Sequence, residues 1–131
     1  LSLILPPGST PNHPPLNALG AEPAHTWCYY FEQAELARQY QNYAGVISFL
    51  NQAQDKGFSP ANPSEGYPFL DAYLHLGETD QALSLSQKIL DSQSKVYEIG
   101  VCNVWQNYAS EVNDPAQARA LDEEMKALSC R

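Results

Sequence analysis

Val46, Ala82 and Ala118 are set at one stride, 36 residues apart each time. Each falls one turn into a helix expected from periodicity, and each follows a turn signal: Gln41-Asn42, Gly77-Glu78 and Asn113-Asp114-Pro115. An earlier helix carries Ala37, Tyr73 or Ala109 at the same stride. A two-helix unit of this length cannot bury its apolar face alone and must lean on a neighbour, so the spacing predicts stacked helical hairpins. With 131 residues, 44% of them hydrophobic, the chain can bury a core of its own as one domain.

The local patterns supply six helices. Trp27, Tyr30, Phe31, Ala34 and Ala37 make an apolar stripe on a first helix, and Val46, Ile47, Phe49, Leu50 and Ala53 on a second that ends at Gly57. In Asn62-Pro63-Ser64-Glu65, Asn62 is placed to cap, Pro63 suits the first helical position and Glu65 completes a capping box. The third helix carries Phe69, Leu70, Tyr73, Leu74 and Leu76 and stops at Gly77; the fourth runs through Ala82, Leu83, Leu85, Ile89 and Leu90. Ser94 is expected to cap a fifth helix containing Val96, Tyr97, Ile99, Val101, Val104, Trp105 and Tyr108. Asp114-Pro115 opens a sixth through Ala118, Leu121, Met125 and Leu128. The expected fold is all-α: three antiparallel helical hairpins over residues 27–131.

Residues 1–26 differ. Pro6, Pro7, Pro11, Pro14, Pro15 and Pro23, interleaved with Gly8 and Gly20, remove the amide donors a helix needs, so an extended Pro-rich N-terminal arm or linker is expected. Leu1-Ser2-Leu3-Ile4-Leu5 is too short for the apolar stretch of a secretory signal and has no basic residue before it. A chain that opens on Leu rather than Met is expected to be a domain cut from a longer one.

Charge and motif content narrow the chemistry. A net charge of −8, from 7 Lys+Arg against 15 Asp+Glu, provides no cationic field for phosphates, so nucleic acid and anionic membrane surfaces are poor partners. Apolar residues never run for the ~18 needed to span a bilayer. His13, His25 and His75 share no ligand spacing with one another or with a Cys, so no metal or other cofactor is expected. His25 suits a capping or surface role and His75 a solvent-facing one. Ser64, Ser86 and Ser94 have capping or surface explanations, and the acid pairs Glu32/Glu35 and Glu123-Glu124 fit solvated helix faces better than acid–base catalysis. The chain is therefore not expected to be an enzyme.

Two resemblances bear on context. Asp71-Ala72-Tyr73-Leu74-His75-Leu76-Gly77-Glu78-Thr79-Asp80-Gln81-Ala82-Leu83 resembles a tetratricopeptide repeat across the turn between its helices, through Tyr73, Gly77 and the small Ala82. It departs elsewhere: Gln41 and Asn113 replace the turn glycine, Val46 replaces a small residue, and Ser86 and Asp122 stand where a large apolar residue is usual. The resemblance implies a short right-handed tetratricopeptide-like array. Residues 22–39, Asn62-Pro63-Ser64-Glu65 and Pro68-Phe69 resemble the C-terminal region of large bacterial multi-spanning membrane proteins, which are often described as similar to lipid-sugar-dependent glycosyltransferases. That resemblance covers roughly residues 20–90. It implies an accessory module on the extracytoplasmic face, tethered by a missing N-terminal region, with any catalytic residues elsewhere; a cytoplasmic location is the alternative.

Cysteine usage leaves the compartment open. Cys28 sits in an aromatic stretch that reads as core, where a thiol acts as a small hydrophobe. Cys102 and Cys130 lie on helices expected to run antiparallel, about 15 Å from Val112 and about 22 Å from Pro115 respectively at 1.5 Å per residue. They are expected to be neighbours, but a mismatch of several Å exceeds what a disulfide tolerates without a frayed helix end. A bridge would favour an oxidising compartment.

In tetratricopeptide-like arrays the first helix of each pair lines the concave groove. Offsets of −2 and +2 from Ala37, Tyr73 and Ala109 select Glu35, Gln39, Asp71, His75, Asn107 and Glu111, and an offset of −6 adds Phe31, Tyr67 and Asn103. This face is polar and mildly acidic with an aromatic edge, suited to a basic or neutral extended peptide if three hairpins curve enough to make a groove, and equally to a plain solvated face. Tyr29 and Tyr40 are further aromatics expected at the surface. The leading expectation is a non-catalytic interaction module for a protein or peptide partner. The rival is an accessory glycan- or peptide-binding domain of a membrane glycosyltransferase-like enzyme, and self-association through the last helix is a further expectation.

Overall fold

A computed structural model describes residues 25–130. Among them are six α-helices, one 3-10 turn and no strand: α1 (Trp27–Gln39), α2 (Tyr43–Asp55), the turn (Pro63–Gly66), α3 (Tyr67–His75), α4 (Thr79–Leu90), α5 (Lys95–Ser110) and α6 (Pro115–Ala127). Each helix packs on the next, and α3 also touches α1 and α5. The Pro-rich arm expected over residues 1–26 lies outside the described residues except for His25 and Thr26.

The turns explain why the chain doubles back so tightly. After α1, α2, α3 and α6 a residue adopts the left-handed conformation: Gln41 (φ 57°), Gly57 (82°), Gly77 (74°) and Ser129 (63°). In each case the following amide reaches five residues back, Asn42 to Ala37, Phe58 to Ala53, Glu78 to Tyr73 and Cys130 to Met125, so the last carbonyls of the helix are satisfied. The two glycines adopt this backbone without a Cβ clash; Gln41 and Ser129 bear that cost. At the other ends, Asn42 Oδ1 accepts from the Gly45 amide and Asp114 Oδ2 from the Gln117 amide. The capping box at Asn62-Pro63-Ser64-Glu65 forms, on the 3-10 turn that leads into α3. Glu65 Oε1 also accepts from the indole N–H of Trp27 at 3.1 Å, tying the start of α1 to the turn. Ser94 occupies the N-cap of α5 with extended backbone, but its side chain makes no capping bond.

Two apolar clusters meet at α3. One joins Trp27, Tyr30, Ala34, Val46, Leu50 and Ala53 to Phe69 and Ala72; the other joins Leu70 and Leu74 to Ala82, Ile89, Val101, Trp105, Leu121, Met125, Leu128 and Cys130. The 36-residue stride holds between α2 and α4, where Val46, Leu50 and Ala53 match Ala82, Ser86 and Ile89 as buried sets. It fails at α6. Ala118 is exposed, and the buried set there is Leu121, Met125 and Leu128, three residues later than the stride requires. α5 is longer than the helices before it and is followed by a four-residue connector, which moves the apolar stripe of α6 along the chain.

Three further expectations are corrected. Cys28 is exposed, because it follows Trp27 by 100° around α1 and the core side is held by Trp27, Tyr30 and Ala34. Ser86 is neither cap nor surface: it is fully buried and its Oγ accepts from Trp105 Nε1 at 2.9 Å, with Trp105 buried as well. Cys102 and Cys130 are bridged, with Cα atoms 5.3 Å apart. The length mismatch dissolves because α6 ends at Ala127 and the left-handed Ser129 turns Cys130 back over the last helical turn, where its amide bonds the Met125 carbonyl at 2.7 Å. Among the described residues α6 exposes no large apolar side chain. No helix of the described residues is long and apolar enough to cross a membrane.

Candidate functional site

α1, α3 and α5 present one flank each to a cavity of about 610 Å³. Phe31, Glu35, Arg38 and Gln39 line it from α1, Gln41 and Tyr43 from the turn into α2, and Ser64 from the 3-10 turn. α3 contributes Tyr67, Pro68, Asp71 and His75, and α5 contributes Val104, Asn107 and Tyr108, with Glu111 just beyond its end. Eight of the nine residues singled out by their offsets therefore border one cavity: Phe31, Glu35, Gln39, Tyr67, Asp71, His75, Asn107 and Glu111. Asn103 does not. It is exposed and lies one helical turn before Asn107 on α5, beyond the stretch of that helix that borders the cavity.

Close packing of α3 on α5 sets one end of the cavity. Gly100 lies under the Tyr67 ring, and a Cβ there would stand 2.8 Å from Tyr67 Cε2. Burial pushes the Tyr67 phenol pKa up, with a smaller push from Tyr97.

The other end is a ribbon of charge that crosses three helices. Arg38 forks onto Glu35, Nε to Oε1 at 3.3 Å and Nη2 to Oε2 at 3.2 Å, and its Nη1 lies 4.0 Å from Asp71 Oδ2. His75 closes the ribbon. Its Nδ1 is 2.9 Å from the Asp71 carbonyl oxygen and 3.2 Å from Asp71 Oδ1, and its Nε2 is 2.7 Å from Glu111 Oε2. The ring stacks on Tyr43 at 4.1 Å between centroids, 8° from parallel, and meets the edge of Tyr108 at 4.9 Å. His75 is thus half-buried, and the solvent-facing role expected for it is corrected: an aromatic on either side and a carboxylate ahead leave its side chain 16% exposed.

Burial works in opposite directions on the two neighbours. It raises the Asp71 carboxyl, partly offset by the positive charges of His75 and Arg38. Burial alone would lower His75, but its hydrogen bonds to the Asp71 carbonyl and to Glu111, together with both negative charges, leave it raised. The bond to Glu35 leads the effects that raise Arg38.

Arg38, Tyr43 and Tyr108 escaped the sequence reading. Arg38 and Tyr108 stand one residue after Ala37 and one before Ala109, on the same helix faces as the chosen positions, and three fixed offsets per helix stepped over them. Tyr43 belongs to the second helix of its pair, which those offsets do not reach. His25, exposed, stacks on Tyr29 at 3.7 Å away from the cavity, and Tyr40 is 80% exposed. Among the described residues no group of three or more His, Cys, Asp or Glu could hold a metal ion. What the cavity offers a ligand is aromatic faces, amides and acceptor oxygens. Comparison with protein-family models, with curated proteins and with solved structures finds no match.

Proposed function

We propose that this domain is a non-catalytic interaction module whose cavity takes an extended peptide segment carrying a basic side chain. The observation that carries the reading is the composition of the cavity: three carboxylates, Glu35, Asp71 and Glu111, against Arg38 and His75, walled by Phe31, Tyr43, Tyr67 and Tyr108. Its volume of about 610 Å³ lies in the range of ligand sites, and aromatic walls beside carboxylates suit a cationic side chain with an apolar stem. In this reading the helices form a tetratricopeptide-like array and α1, α3 and α5 line its concave side. The Cys102–Cys130 bridge favours an oxidising, extracytoplasmic setting, in keeping with a soluble portion of a bacterial membrane protein.

A titration of the 131-residue chain with acetylated tetralysine amide, followed by ¹H–¹⁵N shifts, tests the reading. Shifts confined to Phe31, Gln39, Tyr43 and Asn107, weakened by Glu35→Gln, are expected; shifts scattered over the acidic surface would sink it. A second reading is favoured by Tyr43, Tyr67 and Tyr108 standing in one concavity with Gln39, Gln41, Asp71 and Asn107, the mixture of rings, amides and carboxylates that suits a sugar. Saturation of the same shifts by a neutral oligosaccharide, with tetralysine inert, would select it.

A further inference from the structure

His75 is held by two partners that can only accept. The Asp71 carbonyl oxygen sits 2.9 Å from Nδ1 and the Glu111 carboxylate 2.7 Å from Nε2, so both ring nitrogens must carry a proton for both bonds to exist. Only the imidazolium does that. A neutral ring keeps one N–H. If it stays on Nδ1, a lone pair on Nε2 faces a carboxylate, and the contact becomes repulsive.

The two bonds also differ in what they hold together. Asp71 is four residues back on the same helix, so the Nδ1 bond is local. Glu111 is 36 residues on, just past α5, so the Nε2 bond joins the end of α3 to the end of α5 across the cavity rim. Burial works against the charge of the ring, and the bonds and negative charges of Asp71 and Glu111 favour it. From α1, Arg38 is paired with Glu35 and shared with Asp71; from α2, Tyr43 lies flat against the ring; from α5, Tyr108 stands T-shaped to it. Among the described residues no charged group of α4 or of the 3-10 turn is recorded in contact with it.

The geometry points to His75 as a pH-operated clasp: charged, it ties α3 to α5 and engages the Glu111 carboxylate; neutral, it lets go of Glu111 and frees that carboxylate at the acidic end of the cavity. For a ligand this rests on the peptide-binding reading above, since release frees a carboxylate that a basic side chain would use. The clasp itself does not depend on any ligand. A histidine is the one side chain whose ordinary titration falls where a modest change of compartment pH would work it.

Two arms of one experiment separate the clasp from the groove. In the first, the His75 Cε1–H signal of the full chain, assigned by its loss in His75→Gln, is followed from pH 5 to 9 alongside the amides of residues 107–112. The clasp predicts a His75 midpoint above the ordinary histidine value, the same midpoint in the wild-type amides past the end of α5, and a fall of the His75 midpoint in Glu111→Gln. A glutamine can donate to the neutral ring, so that variant should also leave the α5 amides nearly independent of pH. A midpoint unmoved by Glu111→Gln, or α5 amides that ignore the titration, would overturn the clasp. In the second arm, the affinity for acetylated tetralysine amide should rise as His75 loses its proton in wild type and stay flat in Glu111→Gln across that range. If the first arm holds and tetralysine does not bind, the clasp stands and the peptide reading falls. If tetralysine binds equally at every pH while the α5 amides stay still, the clasp falls and the groove stands.

Discussion

Removing one oxygen from the centre of the second apolar cluster should cost far more than its size suggests. Ser86 and Trp105 are both fully buried, and Ser86 Oγ is the hydrogen-bond acceptor recorded for the Trp105 indole N–H, at 2.9 Å. Ser86→Ala leaves that N–H without a partner and without a path to water, a penalty of about 1–3 kcal/mol, while the space vacated is too small for a water molecule to replace it. Taking ~2 kcal/mol and an unfolding entropy of ~2.1 cal/mol/K per residue over roughly 100 ordered residues, the melting temperature should fall by about 9 °C. Trp105→Phe removes the donor as well as part of the ring. The serine it leaves behind is less exposed to penalty, because its hydroxyl can turn to the carbonyl one helical turn back on α4. The double variant should therefore be less destabilised than the two singles added together, by ~1 kcal/mol or more. Urea unfolding followed by circular dichroism at 222 nm measures all three with one slope. Strict additivity, or a Ser86→Ala loss under ~0.3 kcal/mol, would mean the indole has another acceptor and the argument from burial is wrong.

The bridge should leave one thiol, Cys28, reactive in the folded chain and three after reduction, read with a thiol-titrating dye. Since 28 residues separate Cys102 from Cys130, Cys102→Ser with Cys130→Ser should lower stability by about 3.6 kcal/mol on the chain-entropy model, with hydrogen exchange in α6 rising most. Gln41→Gly, which gives the first turn the residue found at Gly77, should raise the urea midpoint by an amount equivalent to about 0.5–1 kcal/mol; a fall would show that the left-handed backbone there is not strained. Gly100→Ala should cost about 1–3 kcal/mol by driving the Tyr67 ring off α5, and should cost clearly less in a Tyr67→Ala background. Because His75 is raised in the folded state, its contribution to stability is complete below the ordinary histidine value and is lost as pH rises through its folded midpoint. The gap between wild type and His75→Gln in urea midpoint should therefore close toward alkaline pH.

Helix existence was legible because it rests on local patterns: apolar stripes, the capping box at Asn62–Glu65, and the two glycines that end α2 and α3. The helices themselves do not depend on where the chain goes next. What failed depended on relations between helices. The stride misplaced the core of α6 because one longer helix shifts everything after it, and a regular spacing cannot report its own interruption. Ser86 looked like a misfit only because its partner, Trp105, lies on another helix. The bridge looked too long because helix arithmetic extends a straight rod, whereas the chain turns back at Ser129. At the cavity, fixed offsets found eight residues that border it from α1, α3 and α5 or just beyond, picked Asn103 wrongly, and passed over Arg38 and Tyr108, which share those faces between the offsets, and Tyr43, which lies on a helix the offsets do not cover.

α3 contributes to both apolar clusters, Phe69 and Ala72 to one, Leu70 and Leu74 to the other. Neither half of the domain can lose its packing without stripping a side of that helix, so the halves should melt as one cooperative unit and no cut between them should leave a folded fragment. α3 is then the last element to exchange its amides with solvent. The cavity has its middle wall on the stiffest part of the molecule, and whatever adjusts when a ligand enters must be the flanks on α1 and α5.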